Sequence, residues 1–201
     1  MFVFRRLFRF FCFTLFSALF LETDGAFAQQ QGFPHHCLPS ETVFLSARMK
    51  VERAPTDSGG KRTPAKILSL CTDKPRDPID KLSYRYGPIG AVELERVATP
   101  SNKFGYYADF DSRPITQEIY FFDIGDYSYY VRAAGWMGHG VTLHVYKGKK
   151  ELMQLFSGTD DEVDFYMPFP VTPKSVYRRP FMLTAKSVLE ERKPKHPFYL
   201  D

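Results

Sequence analysis

The sequence has little cysteine, little tryptophan and little net charge. Of its 201 residues, three are cysteine and one is tryptophan, and the formal net charge at pH 7 is +4. So few cysteines exclude a disulfide-dense scaffold and the repeated Cys-x-x-Cys spacing of a zinc module. A charge this mild argues against nucleic-acid binding, which normally requires a strongly basic face. The composition therefore predicts no nucleic-acid partner.

Short motifs for common catalytic chemistry are also lacking. The chain has no Gly-x-Ser-x-Gly elbow for a serine nucleophile and no glycine-rich loop with the spacing that cradles phosphate. Carboxylates pair at Glu93 with Glu95 and at Asp109 with Asp111, but such pairs are usually solvated, and a glycosidase also needs a sugar-lined cleft. We predict no catalytic residues, no cofactor and no enzymatic activity. An unrecognised hydrolase is the enzyme alternative.

Histidine and cysteine are adjacent once in the sequence, at His35-His36-Cys37. Imidazole and thiolate are usual metal ligands. Adjacent histidines point in different directions, however, no standard ligand spacing surrounds them, and a cysteine in a disulfide cannot bind metal as a thiolate. His139 and His144 lie five residues apart and face opposite sides of a strand. We therefore predict no metal site.

Long apolar runs are missing except near the amino-terminal end. Three arginines within the first nine residues precede the apolar run Phe10–Phe20, and Ala26-Phe27-Ala28 places small residues at the two positions that signal peptidase reads. The run is too short to span a bilayer, which takes about 20 residues. Residues 1–28 are predicted to be a secretory signal peptide. The mature protein would be periplasmic or secreted, with no stable membrane anchor.

Removal of this leader takes Cys12 away and leaves Cys37 and Cys71. In an oxidising compartment these two residues are predicted to form a disulfide. Closing a loop of this length would stabilise the fold by about 3 to 4 kcal/mol in the chain-entropy model. Two buried free thiols are the alternative.

Aromatic residues and short β-rich runs are what the mature chain does contain. The full chain has 20 phenylalanines and 12 tyrosines, and turn signals separate eight runs of strand-forming residues. Glycine-containing turns at 87–90, 123–126 and 147–149 join three pairs of runs tightly. The pattern predicts an all-β fold, an antiparallel meander forming a sandwich or small barrel. The predicted strands are Thr42–Val51, Ala65–Cys71, Leu82–Tyr86, Ala91–Val97, Ile115–Phe122, Tyr127–Ala133, Val141–Tyr146 and Glu151–Phe156.

One domain and a tail are predicted after the leader. Residues 29–156 would form the disulfide-bonded β domain, and residues 157–201 an extended, proline- and aromatic-rich C-terminal tail that packs along it. The polar segment Glu52–Pro64 predicts an exposed loop, and a short helix is predicted near Ala185–Arg192. The tail aromatics expected to pack on the domain are Phe165, Tyr166, Phe169, Tyr177 and Phe181.

Tyrosine and arginine, which dominate protein interfaces, are concentrated in Tyr84-Arg85-Tyr86 and in Tyr127–Tyr130. Because side chains alternate along a strand, both faces of the second group are expected to be partly aromatic. Individually, most of these residues are expected to lie in the core or cover a sheet face, with Arg85 stacked among aromatic neighbours. As a group they favour protein binding, with Tyr84, Arg85 and Tyr129 as candidate binding residues.

The segment Gly135–Gly140 is the second candidate binding element. It contains Trp136 beside Met137, followed by His139. A glycine-flanked aromatic anchor between two strands is typical of a recognition loop. The alternative is that Trp136 folds back over the domain's own core. We predict that Trp136, Met137 and His139 belong to a binding site.

Several motifs together resemble a family of small exported bacterial domains whose function is not characterised. The resemblance covers residues 37–150 and implies an all-β envelope domain of a Gram-negative bacterium, with a disulfide between the first two motifs. It implies no active site. The motifs are Cys37–Glu41, Lys66–Cys71, Leu82–Gly87, Val92–Glu95, and Gly125–Val131 followed by Gly140-Val141.

Taken together, these features predict an exported binding protein whose partner is a protein of the cell envelope. The function expected first is that of an inhibitor or immunity-type protein acting on an envelope or cell-wall enzyme. Bacterial lysozyme inhibitors are only a broad analogy, because their Ser-Gly-rich motif is absent. The alternative is a structural or accessory envelope protein that docks onto a larger assembly through its aromatic tail.

Overall fold

A computed structural model of the protein describes residues 33–50, 65–75, 78–109, 115–136, 139–157, 164–167 and 185–196. The predicted signal peptide and the polar segment 52–64 lie outside these residues, as do Phe169, Tyr177 and Phe181. Within the described ranges, no helix has the length and apolar character needed to cross a membrane.

In the described ranges, eleven strands form two sheets. The first sheet has the order β10-β1-β2-β3-β4 and the second the order β11-β5-β6-β7-β8-β9. Neighbouring strands are antiparallel, except that β11 runs parallel to β5. The all-β fold is thus confirmed, with two separate sheets as in a sandwich. The strands are β1 (Thr42–Met49), β2 (Lys66–Thr72), β3 (Leu82–Gly87), β4 (Leu94–Ala98), β5 (Phe104–Asp109), β6 (Ile115–Ile124), β7 (Tyr127–Trp136), β8 (Gly140–Lys147), β9 (Lys150–Ser157), β10 (Phe165–Tyr166) and β11 (Leu189–Glu191).

Alternation along the strands sorts side chains between the core and the outer faces of the sheets. In β3, Leu82, Tyr84 and Tyr86 belong to the main hydrophobic core. Ser83 and Arg85, which alternate with them, lie on the opposite face of the same strand. Both faces of β3 are nevertheless buried, so its outer face must also be covered.

Aromatic contacts join the two sheets across the core. Phe44 on β1 meets Tyr120 on β6 edge-on, with ring centroids 5.6 Å apart. Tyr84 on β3 meets Phe122 on β6 in the same way at 5.0 Å. Full burial of an aromatic side chain contributes on the order of 2 to 3 kcal/mol, so these contacts are a principal source of sandwich stability.

A carboxylate also lies in the interior. Glu118 on β6 is fully buried and accepts hydrogen bonds from the hydroxyls of Tyr106 and Tyr120, each at 3.0 Å. A buried polar group is costly unless it is hydrogen-bonded, and the two phenols supply part of that compensation.

A second, smaller aromatic cluster covers the outer face of the second sheet. It consists of Ile119 and Phe121 on β6, Tyr130 on β7 and Tyr146 on β8. Tyr129, the neighbour of Tyr130, packs against the main core instead. The expectation that both faces of the Tyr127–Tyr130 strand are partly aromatic is therefore confirmed.

Three strands differ from the sequence-based expectation: β5, β11, and β10, which falls in the predicted extended tail and pairs with β1. Strand β5, Phe104–Asp109, was not among the predicted strands, yet it pairs with β6 from Gly105 to Asp109. The predicted helix near Ala185–Arg192 is wrong: residues 186–188 form a turn, and β11 pairs with β5. Val188 and Leu189 are buried in the main core, and this packing, together with the pairing to β5, outweighs the local helix propensity of the segment.

Candidate functional site

The predicted binding residues do not form one surface. Tyr84 and Tyr129 both face the core, where each ring packs on Phe122, at 5.0 Å and 5.2 Å respectively. Arg85 lies on the opposite face of β3 from Tyr84. The tyrosine-rich strands therefore contribute more to the core of the sandwich than to its surface.

Tyr84 is fully buried, and its hydroxyl has no hydrogen-bond partner within the described part of the chain. Burial raises the pKa of Tyr84 well above its ordinary value, and the nearby Tyr86 and Tyr129 raise it further. Leaving a buried hydroxyl unsatisfied costs about 1 to 3 kcal/mol. Tyr84 is thus a core residue whose unpaired hydroxyl lowers the free energy of unfolding.

Arg85 is also buried, but each of its three guanidinium nitrogens donates to an acidic or carbonyl group. Nη1 and Nη2 donate to the two carboxylate oxygens of Glu41 at 2.5 Å and 3.1 Å. Nε donates to Glu95 at 2.7 Å, and Nη1 also donates to the carbonyl of His36 at 3.2 Å. The stacking of Arg85 on aromatic neighbours that the sequence suggested is therefore replaced by a carboxylate network.

Glu41 is the centre of this network. Burial alone would raise the pKa of Glu41, but hydrogen bonds from Arg85, from the Leu38 N–H and from Lys81 outweigh burial and hold the pKa at about 2. The Glu41 side chain is only 3% exposed. The carboxylate thus stays ionised and anchors the chain that leads into β1.

The segment Phe33–Glu41, here called the N-terminal strap, covers the outer face of the first sheet. Ser46 Oγ donates to the Pro34 carbonyl at 2.8 Å, and the His36 N–H donates to Ser69 Oγ at 3.0 Å. Serines on β1 and β2 therefore provide hydrogen-bonding partners for a segment that forms no strand. These bonds explain why the outer face of the sheet is polar and yet buried.

Cys37 in the strap is bonded to Cys71 on β2, with their Cα atoms 5.4 Å apart. The predicted disulfide is confirmed. Because Cys37 is in this disulfide, it cannot bind a metal ion as a thiolate at His35-His36-Cys37. The His36 ring also has a partner, since its Nε2 donates to the Gly87 carbonyl at 3.0 Å. In the described part of the chain, no group of three histidine, cysteine, aspartate or glutamate residues could hold a metal ion.

The loop between β7 and β8 is shorter than the predicted recognition segment Gly135–Gly140. Strand β7 extends to Trp136, whose backbone pairs with Ile115, and β8 begins at Gly140. His139 is exposed, and its ring meets Phe165 edge-on at 5.0 Å. Met137 lies outside the described residues. The involvement of Trp136, Met137 and His139 in binding stays a prediction.

The loop 88–93 between β3 and β4 presents exposed apolar side chains that sequence reasoning missed. Ile89 is 65% exposed and Val92 is 45% exposed. An isoleucine between a proline and a glycine in a turn was the available signal, because turn positions normally carry polar residues. Large exposed aliphatic side chains on a protruding turn are suited to insertion into an apolar pocket of a partner.

This loop is held in one conformation by its own hydrogen bonds. The Ala91 N–H donates to the Pro88 carbonyl at 3.0 Å, and the Glu93 N–H donates to the Tyr86 carbonyl at 2.9 Å. Gly90 has a φ of 78°, in the left-handed region that glycine occupies without strain. A loop ordered before binding loses less conformational entropy when it binds.

Lys66 on β2 contacts the residues at the base of the loop 88–93. Its ammonium lies 2.5 Å from the Glu93 carboxylate and 5.5 Å from the centre of the Tyr86 ring. The pair is partly exposed, so its contribution to stability is small. Its structural effect is to fix Glu93 beside the apolar residues of the loop.

Comparisons with protein-family models, with curated proteins and with solved structures find no match for this chain. The resemblance to the exported bacterial family described above therefore stays a prediction.

Proposed function

We propose that this protein is exported to the bacterial periplasm and acts there by binding another protein, as an inhibitor or immunity-type protein of an envelope or cell-wall enzyme. The loop 88–93 is the observation that carries the proposal. It exposes Ile89 and Val92 on a turn fixed by hydrogen bonds. A protruding loop of this kind can fill an apolar pocket or cleft of an enzyme and exclude the substrate.

Two further features support export. The basic start, apolar run and small residues within positions 1–28 have the order of a secretory signal peptide. The disulfide between Cys37 and Cys71 suits an oxidising compartment. A covalently closed, rigid domain would also resist local unfolding in the envelope, which is useful for a protein that binds through a fixed loop.

Site-specific photo-cross-linking tests this proposal. A photoreactive amino acid is placed at Ile89, or at Leu152 on β9 as a control, in the exported protein within the bacterium that encodes it. Leu152 is a matched position because it is also aliphatic and is 47% exposed. We expect a discrete adduct with an envelope enzyme from position 89 and none from position 152.

Inhibition is then measured on the enzyme identified in this way. The wild-type protein and Leu152→Asp should inhibit it equally, whereas Ile89→Asp should weaken binding by about 2 kcal/mol or more, because it puts a charge into the apolar contact. Loss of inhibition in Trp136→Ala, but not in Ile89→Asp, would move the site to the predicted segment Gly135–Gly140. An adduct with a non-enzymatic assembly subunit would favour the accessory-protein alternative, and equal or absent adducts would contradict binding through this loop.

A further inference from the structure

Strand β4 is an edge of the first sheet. It pairs with β3 on one side, and within the described residues no strand pairs with its other side. Alternate backbone N–H and C=O groups of Leu94–Ala98 therefore point away from the sheet. An edge of this kind can accept a further strand, and several classes of domain bind extended segments of other proteins in this way.

Strand β9, an edge of the second sheet, is protected against such pairing. Phe156 on β9 exchanges two backbone hydrogen bonds with Lys50, at 2.9 Å and 3.3 Å. The register of β9 also shifts where it pairs with Val145 and Tyr146 on β8. Covering segments and irregular pairing both block the addition of a strand. The pairing of β4 with β3 has no such shift, so β4 is the better template.

Arg96 places an uncompensated charge at the β4 edge. It pairs with Tyr84, a core residue, so its side chain lies on the core-facing side of β4. Its Nε is buried without a hydrogen-bond partner in the described part of the chain, and no ion pair there includes it. The neighbouring Glu95 lies on the other face of the strand, where it bonds Arg85 at 2.7 Å. Because a buried donor without a partner is costly, an acceptor beside Arg96 would be favourable.

We propose that the β4 edge binds an extended segment of the partner protein that carries a carboxylate opposite Arg96. This inference rests on the proposed function, binding to an envelope protein, and adds the means by which that protein is held. The backbone of the segment pairs with Leu94–Ala98, and its acidic side chain accepts a charge-assisted hydrogen bond from the Arg96 guanidinium. Val92, two residues before β4 and 45% exposed, joins this edge to the loop 88–93.

Arg96 also determines which strands the edge rejects. An apolar segment would leave the guanidinium without an acceptor, and a basic segment would repel it. A second copy of this chain, paired symmetrically about Arg96, would place two guanidinium groups opposite each other, which is destabilising in a sheet. The charge therefore favours an acidic segment of another protein.

Two synthetic peptides with blocked ends test this edge. The first is Val-Thr-Glu-Thr-Val, in which the glutamate and both valines share one face, and the second has lysine in place of glutamate. Their binding is followed by NMR of the backbone amides of the oxidised protein. We expect the acidic peptide to shift and protect amides of Leu94–Ala98, and the basic peptide to bind at least about five-fold more weakly. The acidic peptide N-methylated at two adjacent central residues should not bind, because it cannot form the ladder.

Variants of Arg96 test the origin of this preference. Arg96→Glu should invert it and Arg96→Gln should remove it, while unchanged amide signals elsewhere show that each variant is folded. Lys150→Glu makes the same change of charge on the β9 edge and should keep the wild-type preference. The inference is overturned if both peptides bind the wild-type protein equally, or if neither shifts the β4 amides. It is also overturned if these amides become protected with rising protein concentration alone, because the occupant would then be a second copy.

Binding to the enzyme cross-linked at position 89 separates this inference from the proposed function. Arg96→Glu should weaken that binding at least about five-fold, and Lys150→Glu should not. Unchanged binding in Arg96→Glu overturns the edge inference and leaves the proposed function standing. If position 89 gives no adduct but the peptides keep their charge preference, the proposed function fails and the β4 edge stands as a site for acidic extended segments.

Discussion

Two adjacent buried residues of β3, Arg85 and Tyr84, differ in whether their polar groups are hydrogen-bonded. Arg85, 4% exposed, satisfies its guanidinium through Glu41 and Glu95. Tyr84, fully buried on the opposite face, has a hydroxyl without a partner among the described residues. Sequence reasoning identified both residues as candidates for a binding surface because tyrosine and arginine are typical of interfaces. It could not foresee that Glu41, 44 residues away along the chain, would neutralise Arg85.

Tyr84→Phe tests the cost of the unpaired hydroxyl. The variant keeps the ring that packs on Phe122 and removes only the unsatisfied group, so we expect unchanged stability or a gain of up to about 1 kcal/mol in urea unfolding. Tyr106→Phe is the control, because the Tyr106 hydroxyl donates to buried Glu118 at 3.0 Å. It should lose about 1 kcal/mol or more. Destabilisation by Tyr84→Phe equal to that of the control would mean that the Tyr84 hydroxyl has a stabilising role.

At the scale of elements, the predicted strands follow from alternation and turn residues, and each of the eight runs overlaps a strand of the structure, although β4 begins at Leu94 and not at Ala91. Strand β5 was missed because Gly105 interrupts its pattern. A glycine weakens a strand locally, but at this position a side chain would collide with the Phe121 ring, which covers the glycine. The contact comes from the neighbouring strand and is not visible in the local sequence.

The N-terminal strap is the element that sequence reasoning described least. Residues 33–41 contain no strand pattern, and their role depends on partners from three strands: Ser46, Ser69 and Arg85. The pairing of Cys37 with Cys71 was predictable from the count of cysteines after leader removal. The covering of the outer sheet face by the strap, which this bond helps to hold in place, was not predictable, because it depends on hydrogen bonds between residues far apart along the chain.

Glu41→Gln tests the strap as a unit. Removing one partner of a buried ion pair leaves Arg85 partly uncompensated, and we expect a loss of about 3 kcal/mol at pH 7. Because the pKa of Glu41 is lowered from 4.5 to about 2, the carboxylate stabilises the fold above pH 4.5, and this contribution is lost as the pH falls toward 2. Urea unfolding as a function of pH should therefore show a smaller acid dependence in Glu41→Gln than in the wild-type protein.

Glu95→Gln is the control for this measurement, because the Glu95 side chain is 48% exposed although it also bonds Arg85. Its loss should be below about 1 kcal/mol. Equal losses in the two variants, or an unchanged acid dependence in Glu41→Gln, would show that the strap does not depend on the Glu41 carboxylate.

At the scale of the whole molecule, the sandwich is covered on both sides by segments from the two ends of its described chain. The N-terminal strap lies on the first sheet through Cys37 and Glu41. The C-terminal segment Arg192–His196 lies on the second sheet, where Arg192 contacts Phe121 and His196 stacks on Tyr146. Both outer faces are consequently buried in part. This arrangement leaves the loop 88–93 as the most exposed large aliphatic element of the described residues.

Export and oxidation are predicted to belong together, because the disulfide can close only after the chain reaches an oxidising compartment. Mass spectrometry of protein recovered from the periplasm should show a chain that starts at Gln29, after removal of residues 1–28, with a mass two hydrogen atoms below that of the reduced form. Protein produced without the leader in a reducing cytoplasm should carry free Cys37 and Cys71 and be less stable by about 3 to 4 kcal/mol, because the unfolded chain is no longer constrained. Reoxidation in vitro should restore this stability and thereby serve as the control. A retained leader, or thiols at Cys37 and Cys71 that react with an alkylating reagent in the native exported protein, would contradict the prediction.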